Sequence, residues 1–286
     1  MREKLTLVFL MLLLIMSGCT RSGIEISSWP VMGTIASVQV REKQDIKNVE
    51  AAAKHSFLHI EKLLNRFDPS SELSTLKSLN DDEVIKKASL SVRKCYEAAF
   101  LVSRLSGGAF NPRWRGKETL DLGAIAKGFA LDEAALFYAK KASENSGDVL
   151  IDLGGNLISV KGSCKTGVKS PNGKGFASFF SLSSGEAVAT SASYYRGAHI
   201  RDARTGNVVS NGVLSVTVIS KSAMWADALS TVLFILGPNE GMEFLKKLNT
   251  SKEYPFRGND ETAVLWIMES GSFVKVDEKG RFKVSN

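Results

Sequence analysis

Between Asn48 and Phe67 the apolar residues Val49, Ala53, Phe57, Ile60, Leu64 and Phe67 fall at intervals of three and four. That spacing draws a single apolar stripe along a helix, and a one-sided helix must lay its stripe on another element. The chain offers partners of two kinds. Helical patterns recur over residues 91–106, where Gly107-Gly108 supplies a C-terminal stop, from Ala124 to about residue 141, and over 223–236 and 240–248. Strand patterns cover 28–40, 149–153 and 157–161 around the hairpin residues Gly154-Gly155-Asn156, then 176–182, 187–190, 214–219, 263–268 and 273–276. Helices and antiparallel-looking strands mix within one span. The expected fold class is therefore α/β (mixed α+β), a single domain over residues 28–286 with a mixed sheet packed by helices.

The N-terminus follows a different rule. Arg2 and Lys4 precede an apolar run from Leu5 to Met16, then Ser17-Gly18-Cys19. A basic start, a short apolar core and small residues describe a secretory signal over residues 1–18, too short for a comfortable membrane span. A Cys directly after Ser-Gly matches a bacterial lipobox, with Met16 where that motif prefers Leu. Cys19 is the expected lipidation site, with residues 19–27 forming the lipidated Cys and a short tether. The expected location is a bacterial membrane, facing the periplasm or the cell exterior.

Net charge is +7, and without residues 1–18 the 35 basic and 29 acidic side chains leave +6. The basic residues are dispersed, which favours a small anionic ligand or a membrane surface over nucleic acid. Beyond Cys19, Cys95 and Cys164 either pair in an oxidising compartment or stay as thiols.

Chemistry concentrates in three stretches. Asp121-Leu122-Gly123-Ala124-Ile125-Ala126-Lys127-Gly128 places a carboxylate, two glycines and a lysine at the mouth of a helix. Asp121 is positioned to cap free N–H groups, and such an entrance suits an anion or a phosphate-bound metal. A capped helix with a surface lysine would read the same. Asp227 and Thr231, four apart on one helix, converge on a point where oxygen ligands suit Mg²⁺ or Ca²⁺, with the Ala124 carbonyl as a natural third. The same pair also fits an ordinary helix whose threonine bonds back to its own backbone. His199 to Gly206 joins a His, an Asp and two Arg in a turn-rich segment after the hydroxyl-rich strand end Thr190-Ser191. That suits acid–base or phosphate chemistry, or a solvated loop. The three histidines do not cluster with cysteines, and His55 and His59 flank the apolar stripe of their helix. There is no Gly-x-Ser-x-Gly elbow, Walker loop or His-Glu-x-x-His.

In order, these stretches resemble the ApbE-type FAD:protein FMN transferases, often lipid-anchored. The resemblance runs through Met32-Gly33-Thr34, residues 67–73, Gly108-Ala109-Phe110-Asn111, residues 121–128, Asp152-Leu153-Gly154-Gly155-Asn156, residues 187–191, 199–206 and 226–237. It implies a Mg²⁺-dependent enzyme that splits the pyrophosphate of FAD, moves FMN to a Thr or Ser of a target flavoprotein and releases AMP. The targets it implies are membrane redox-complex subunits or reductases. The metal ligands would be the Ala124 carbonyl, Asp227 and Thr231. Flavin-nucleotide contacts would come from Met32, Phe67, Ala109, Phe110, Asn111, Asp121, Lys127 and Arg201. His199 would help deprotonate the incoming hydroxyl, with Asp227 as its catalytic partner on the metal. Hydrolysis of FAD to FMN and AMP, or FAD binding without catalysis, are the alternatives. Departures from the family pattern lie on the flavin side: Phe67 for Tyr, Asn111 for Asp, Ala192 for Gly, Arg201-Asp202-Ala203 for Ile-Asp-Pro, and short links at 112–120 and 194–198.

Overall fold

The computed structural model describes residues 23–41, 46–140, 147–194, 200–256 and 261–284. Helices and antiparallel sheets form the domain the patterns imply. The first strand pattern is in fact a hairpin, β1 (Glu25–Val31) and β2 (Thr34–Val40), with Val31 opposite Thr34. Met32 and Gly33 make the two-residue turn at φ 50° and 67°. Such turns need positive φ at both positions, which Asn-Gly announces and Met-Gly does not.

The stripe helix α1 (Ile46–Leu64) buries Val49, Ala53, Phe57, Ile60 and Leu64. It stops before Phe67, which is 77% exposed, and the Asn65 side chain accepts the Phe67 N–H at 3.0 Å. Three short-range signals hold the next helices. Ser71 caps α2 (Glu72–Leu76), Asn80 and Glu83 form a capping box on α3 (Asp81–Lys87), and Ser89 caps α4 (Leu90–Leu105). Gly107 and Gly108 then turn the chain at φ 60° and 84°.

After α5 (Ala126–Ala139) come β3 (Val149–Leu153), β4 (Asn156–Lys161), β5 (Cys164–Lys169), β6 (Phe176–Leu182), β7 (Glu186–Ala192) and β8 (Val213–Ser220). The long helix α6 (Ala223–Thr250) kinks at Gly237, before Pro238, in agreement with two helical patterns. The strands β9 (Ala263–Met268), β10 (Phe273–Val276) and β11 (Lys283–Val284) follow. β5 and β11 carry no alternation to betray them and form by pairing with β6.

Eight strands join in the order β1-β2-β3-β4-β7-β8-β9-β10, every pairing antiparallel. One face carries α1, α5 and α6. The other is covered over its centre by the sheet β11-β6-β5. Side-chain alternation divides the two cores: Val216, Val218, Val264 and Trp266 face the helices, while Val188, Ile219, Leu265 and Ile267 face the small sheet. Cys95, buried, and Cys164 are both free thiols. His55 stacks on Phe137 with ring centroids 4.7 Å apart. No described helix is long and apolar enough to cross a membrane. The Cys19 segment lies outside the described residues.

Candidate active site

A cleft of about 870 Å³ opens among the β1–β2 and β3–β4 turns, the loop before α5, and helices α5 and α6. Its deepest carboxylate belongs to Asp227, whose side chain is 6% exposed on the second turn of α6. The Lys127 ammonium stands 3.2 and 3.3 Å from the two Asp227 oxygens, and the Gly128 N–H donates to one of them at 3.0 Å.

That arrangement follows from how the two helices meet. The first turn of any helix has N–H groups with no partner inside it. α5 begins at Ala126 with Ile125 in the capping position and no side-chain cap. Asp227 of α6 satisfies one of those N–H groups instead. α6 is capped in return from α5: Asp132 accepts from the Ser222 hydroxyl at 2.5 Å and from the Ala223 and Met224 N–H groups at 2.8 and 3.0 Å. Burial raises the Asp132 carboxyl above its ordinary range, although these bonds act to lower it. Contact this close requires Gly128, because a Cβ there would lie 2.1 Å from the Ala223 carbonyl oxygen.

Thr231 borders the cleft beside Asp227. Its hydroxyl lies 3.2 Å from Ser191 Oγ, which also meets Ser230 Oγ at 2.9 Å, so the end of β7 and α6 share a hydroxyl network. Ala124 lines the same cleft. Among the described residues no three His, Cys, Asp or Glu side chains gather as a metal site. A metal here would rest on one carboxylate with hydroxyl and carbonyl oxygens, a donor set for a hard cation such as Mg²⁺. The ammonium on Asp227 shows that this carboxylate already accommodates a positive charge.

Asp121 departs from the sequence expectation. It does not cap α5; its Oδ1 accepts the Gly123 N–H at 3.0 Å, closing a tight turn ahead of the helix. Its Oδ2 takes Trp114 Nε1 at 3.2 Å and faces Arg66 at 3.3 Å and Arg115 at 3.7 Å. The two guanidiniums stack on Phe67 and Trp114, 4.1 and 4.3 Å from the ring centroids. All five side chains border the cleft. Arg66, Trp114 and Arg115 carry no sequence signal of this cluster, because 48 to 55 positions separate Arg66 from Trp114, Arg115 and Asp121 and no spacing rule spans that distance. Asp132, Gly128 and Asn156 lay within stretches of interest without a visible role.

The remaining sequence candidates converge here too. Met32, Phe67, Ala109, Phe110, Asn111, Lys127 and Arg201 line the cleft with Asp121, Ala124, Asp227 and Thr231. Asn111 Oδ1 accepts the Arg113 N–H at 2.8 Å, and Arg201 donates to the Gly206 carbonyl at 3.0 Å. The Ala203 N–H bonds the Ala109 carbonyl at 3.0 Å and ties the 200–208 segment to the cleft wall. His199 lies outside the described residues.

A sequence model of the ApbE family matches residues 32–116 and 113–254. The chain belongs to the ApbE family. Every cleft residue named above falls inside the matched span. Among curated relatives, an FAD:protein FMN transferase of Klebsiella pneumoniae is 36% identical over 137 residues, 45% of this chain and 42% of that protein. One from Vibrio cholerae is 34% identical over 138 residues, 43% of this chain and 40% of its own length. The matched stretch thus spans less than half of these curated ApbE-family relatives. Among solved structures, the flavin transferase ApbE from Vibrio cholerae aligns with a TM-score of 0.67 at 19% identity, covering 88% of this chain and 96% of that one. The ApbE protein from Thermotoga maritima aligns at 0.70 and 22% identity, covering 89% and 97%. At such identities the likeness establishes the ApbE fold.

Proposed function

We propose that this ApbE-family protein is an FAD:protein FMN transferase, dependent on Mg²⁺, acting on a Thr or Ser of a target flavoprotein and releasing AMP. The observation that carries the proposal is the convergence in one cleft of Asp227, Thr231, Ala124 and Lys127 with the aromatic and arginine groups around Asp121. The names of the curated relatives support the same activity. The cleft volume falls in the range of small-molecule and cofactor sites.

Bound by Asp227, Thr231 and the Ala124 carbonyl, Mg²⁺ would supply Lewis-acid polarisation of phosphoryl oxygens. The chain's own groups do the rest. Lys127 transfers its ammonium from Asp227 to a phosphate oxygen as a point charge. The Asp121 cluster holds Arg66 and Arg115 toward the nucleotide, and Met32 and Phe67 offer apolar surface to its rings. The acceptor hydroxyl oxygen bonds to the FMN phosphorus as the pyrophosphate P–O bond to AMP breaks, and His199 takes the hydroxyl proton. Cys19 carries the lipid anchor, placing the domain at the outer side of a bacterial membrane near acceptor subunits of redox complexes or reductases.

The test incubates the purified chain with FAD, Mg²⁺ and a candidate acceptor flavoprotein. The expected result is a mass gain of one FMN on the acceptor and one AMP per transfer, both lost in Asp227→Ala. FMN and AMP formed without an acceptor would assign the protein to FAD hydrolysis. No turnover of either kind would overturn the enzyme reading.

A further inference from the structure

Asn156 opens β4 at the cleft edge, 3% exposed, and its Nδ2 finds no acceptor among the described residues. A buried N–H left unpaired costs about 1–3 kcal/mol, so buried amides nearly always have a partner. Asn156 also borders the cleft.

The fold does not account for the amide. The preceding turn is fixed from elsewhere: Asp152 Oδ1 accepts the Gly155 N–H at 2.8 Å, and the Gly154 N–H donates to the Ile35 carbonyl at 3.0 Å. Gly154 and Gly155 take positive φ, 66° and 91°, without help from the Asn156 side chain. A Cβ on Gly154 would lie 2.6 Å from Thr34 Oγ1, so the two hairpins also lock by shape. Across the adjoining strand, the cleft-lining hydroxyls are engaged within the protein. Thr190 meets Thr217 at 2.9 Å, and Ser191 meets Ser230 and Thr231. The Asn156 amide stands apart from that network with its donor unfilled.

We infer that Asn156 is a substrate-binding residue whose carboxamide donates a hydrogen bond to an acceptor atom of the nucleotide in the cleft. The inference rests on the FAD reading above and adds to it a specificity-determining group on the sheet side of the site. Both halves of FAD carry acceptors: carbonyl oxygens and ring nitrogens on the flavin, phosphate oxygens and ring nitrogens on the adenylate.

A binding role and a structural role predict opposite signs for Asn156→Leu. Leu is close to Asn in shape and removes the unpaired N–H, a replacement that is neutral or stabilising when the group has no partner. The test measures the melting temperature of the free full chain and, by calorimetry with Mg²⁺ present, its affinity for FAD, FMN and AMP. Wild type, Asn156→Leu and Asn156→Ala are compared, the last giving the affinity comparison should Leu not fold. The expected result is a melting temperature for Asn156→Leu at or above wild type, with FAD binding about tenfold weaker in both variants, the worth of one hydrogen bond. Weakening confined to FMN assigns the contact to the flavin half; weakening confined to AMP assigns it to the adenylate half. Unchanged FAD affinity in the variants, with wild type binding FAD, overturns this inference and leaves the flavin reading standing. A wild type that binds none of the three probes overturns both.

Discussion

Lys127 and Asp227 sit 100 positions apart in sequence, yet the lysine ammonium covers both carboxylate oxygens of a nearly buried aspartate. The pair holds the site in a charge-balanced form, and a hard cation would have to take the place of the ammonium on Asp227. Replacing Lys127 with Met leaves that carboxylate with the Gly128 N–H as its one hydrogen-bond partner among the described residues. Removing a hydrogen bond to a charged group costs about 1.5–3 kcal/mol. Lys127→Met is therefore expected to melt below wild type without metal, to gain more melting temperature from added Mg²⁺ than wild type does, and to turn over FAD at least tenfold more slowly. Thermal melts across a Mg²⁺ titration and an AMP-release assay check all three. Equal Mg²⁺ responses and unchanged turnover would place the lysine outside the site's chemistry. Local sequence showed that Lys127 follows a tight turn and that Asp227 shares a face with Thr231. It could not show that the two charges meet, because that depends on how α5 and α6 cross.

The α5–α6 pair is the element that makes the site: Asp227 of α6 serves the uncapped start of α5, and Asp132 of α5 reinforces the start of α6, where Ser222 already accepts the Trp225 N–H. Local spacing assigns the capping of α5 to Asp121, the nearest carboxylate upstream; the fold gives it to Asp227 from another helix and sets Asp121 among Arg66, Trp114 and Arg115. Local proximity is a fair guide to capping only when nothing else can reach the helix end. Gly128 is the point of closest approach. On an exposed helix Gly→Ala stabilises by a few tenths to about 1 kcal/mol. Here the new Cβ would fall 2.1 Å from the Ala223 carbonyl oxygen and 2.7 Å from Met224 Cα, both backbone atoms that cannot step aside alone. Gly128→Ala is expected to destabilise by about 3 kcal/mol. It should also depress FAD turnover by shifting Asp227 relative to Ala124. A urea-unfolding midpoint at or above wild type would show that the helices separate without cost.

For the whole molecule, pH dependence provides a test that needs no ligand. Burial pushes the Asp152 carboxyl up to about 6, against the Gly155 N–H and the nearby Lys169 charge, which both act to lower it. The folded chain then binds a proton that the unfolded chain has already released. The Asp152 contribution is most favourable below the unfolded value near 3.8, declines as pH rises toward about 6 and is flat above. Asp132, also raised by burial, acts in the same direction. Asp152→Asn keeps an acceptor for the Gly155 N–H and removes the titration. The stability difference between variant and wild type should grow in the variant's favour from pH 4 to pH 6, by at most about 3 kcal/mol, and then level off. Urea midpoints at half-unit pH steps measure it. A constant difference across that range would mean that Asp152 titrates normally.

The helix stripe, the glycine stops, the caps at Ser71 and the Gly154-Gly155 hairpin were set by local rules, and the sequence by itself determined them. The motif residues from Met32 to Thr231 were legible because each lies in a short stretch with its own chemistry. Tertiary structure decided the rest: that Met32 takes a positive φ in a turn, that β5 and β11 exist, that Phe67 projects into solvent, and that Asp121 holds two arginines. It also decided that one carboxylate receives a lysine and a backbone N–H from a helix 100 residues away. The division has a physical reason. Caps and stripes act within a few residues, where spacing fixes geometry, whereas the site's charges meet only where two helices cross over the antiparallel sheet.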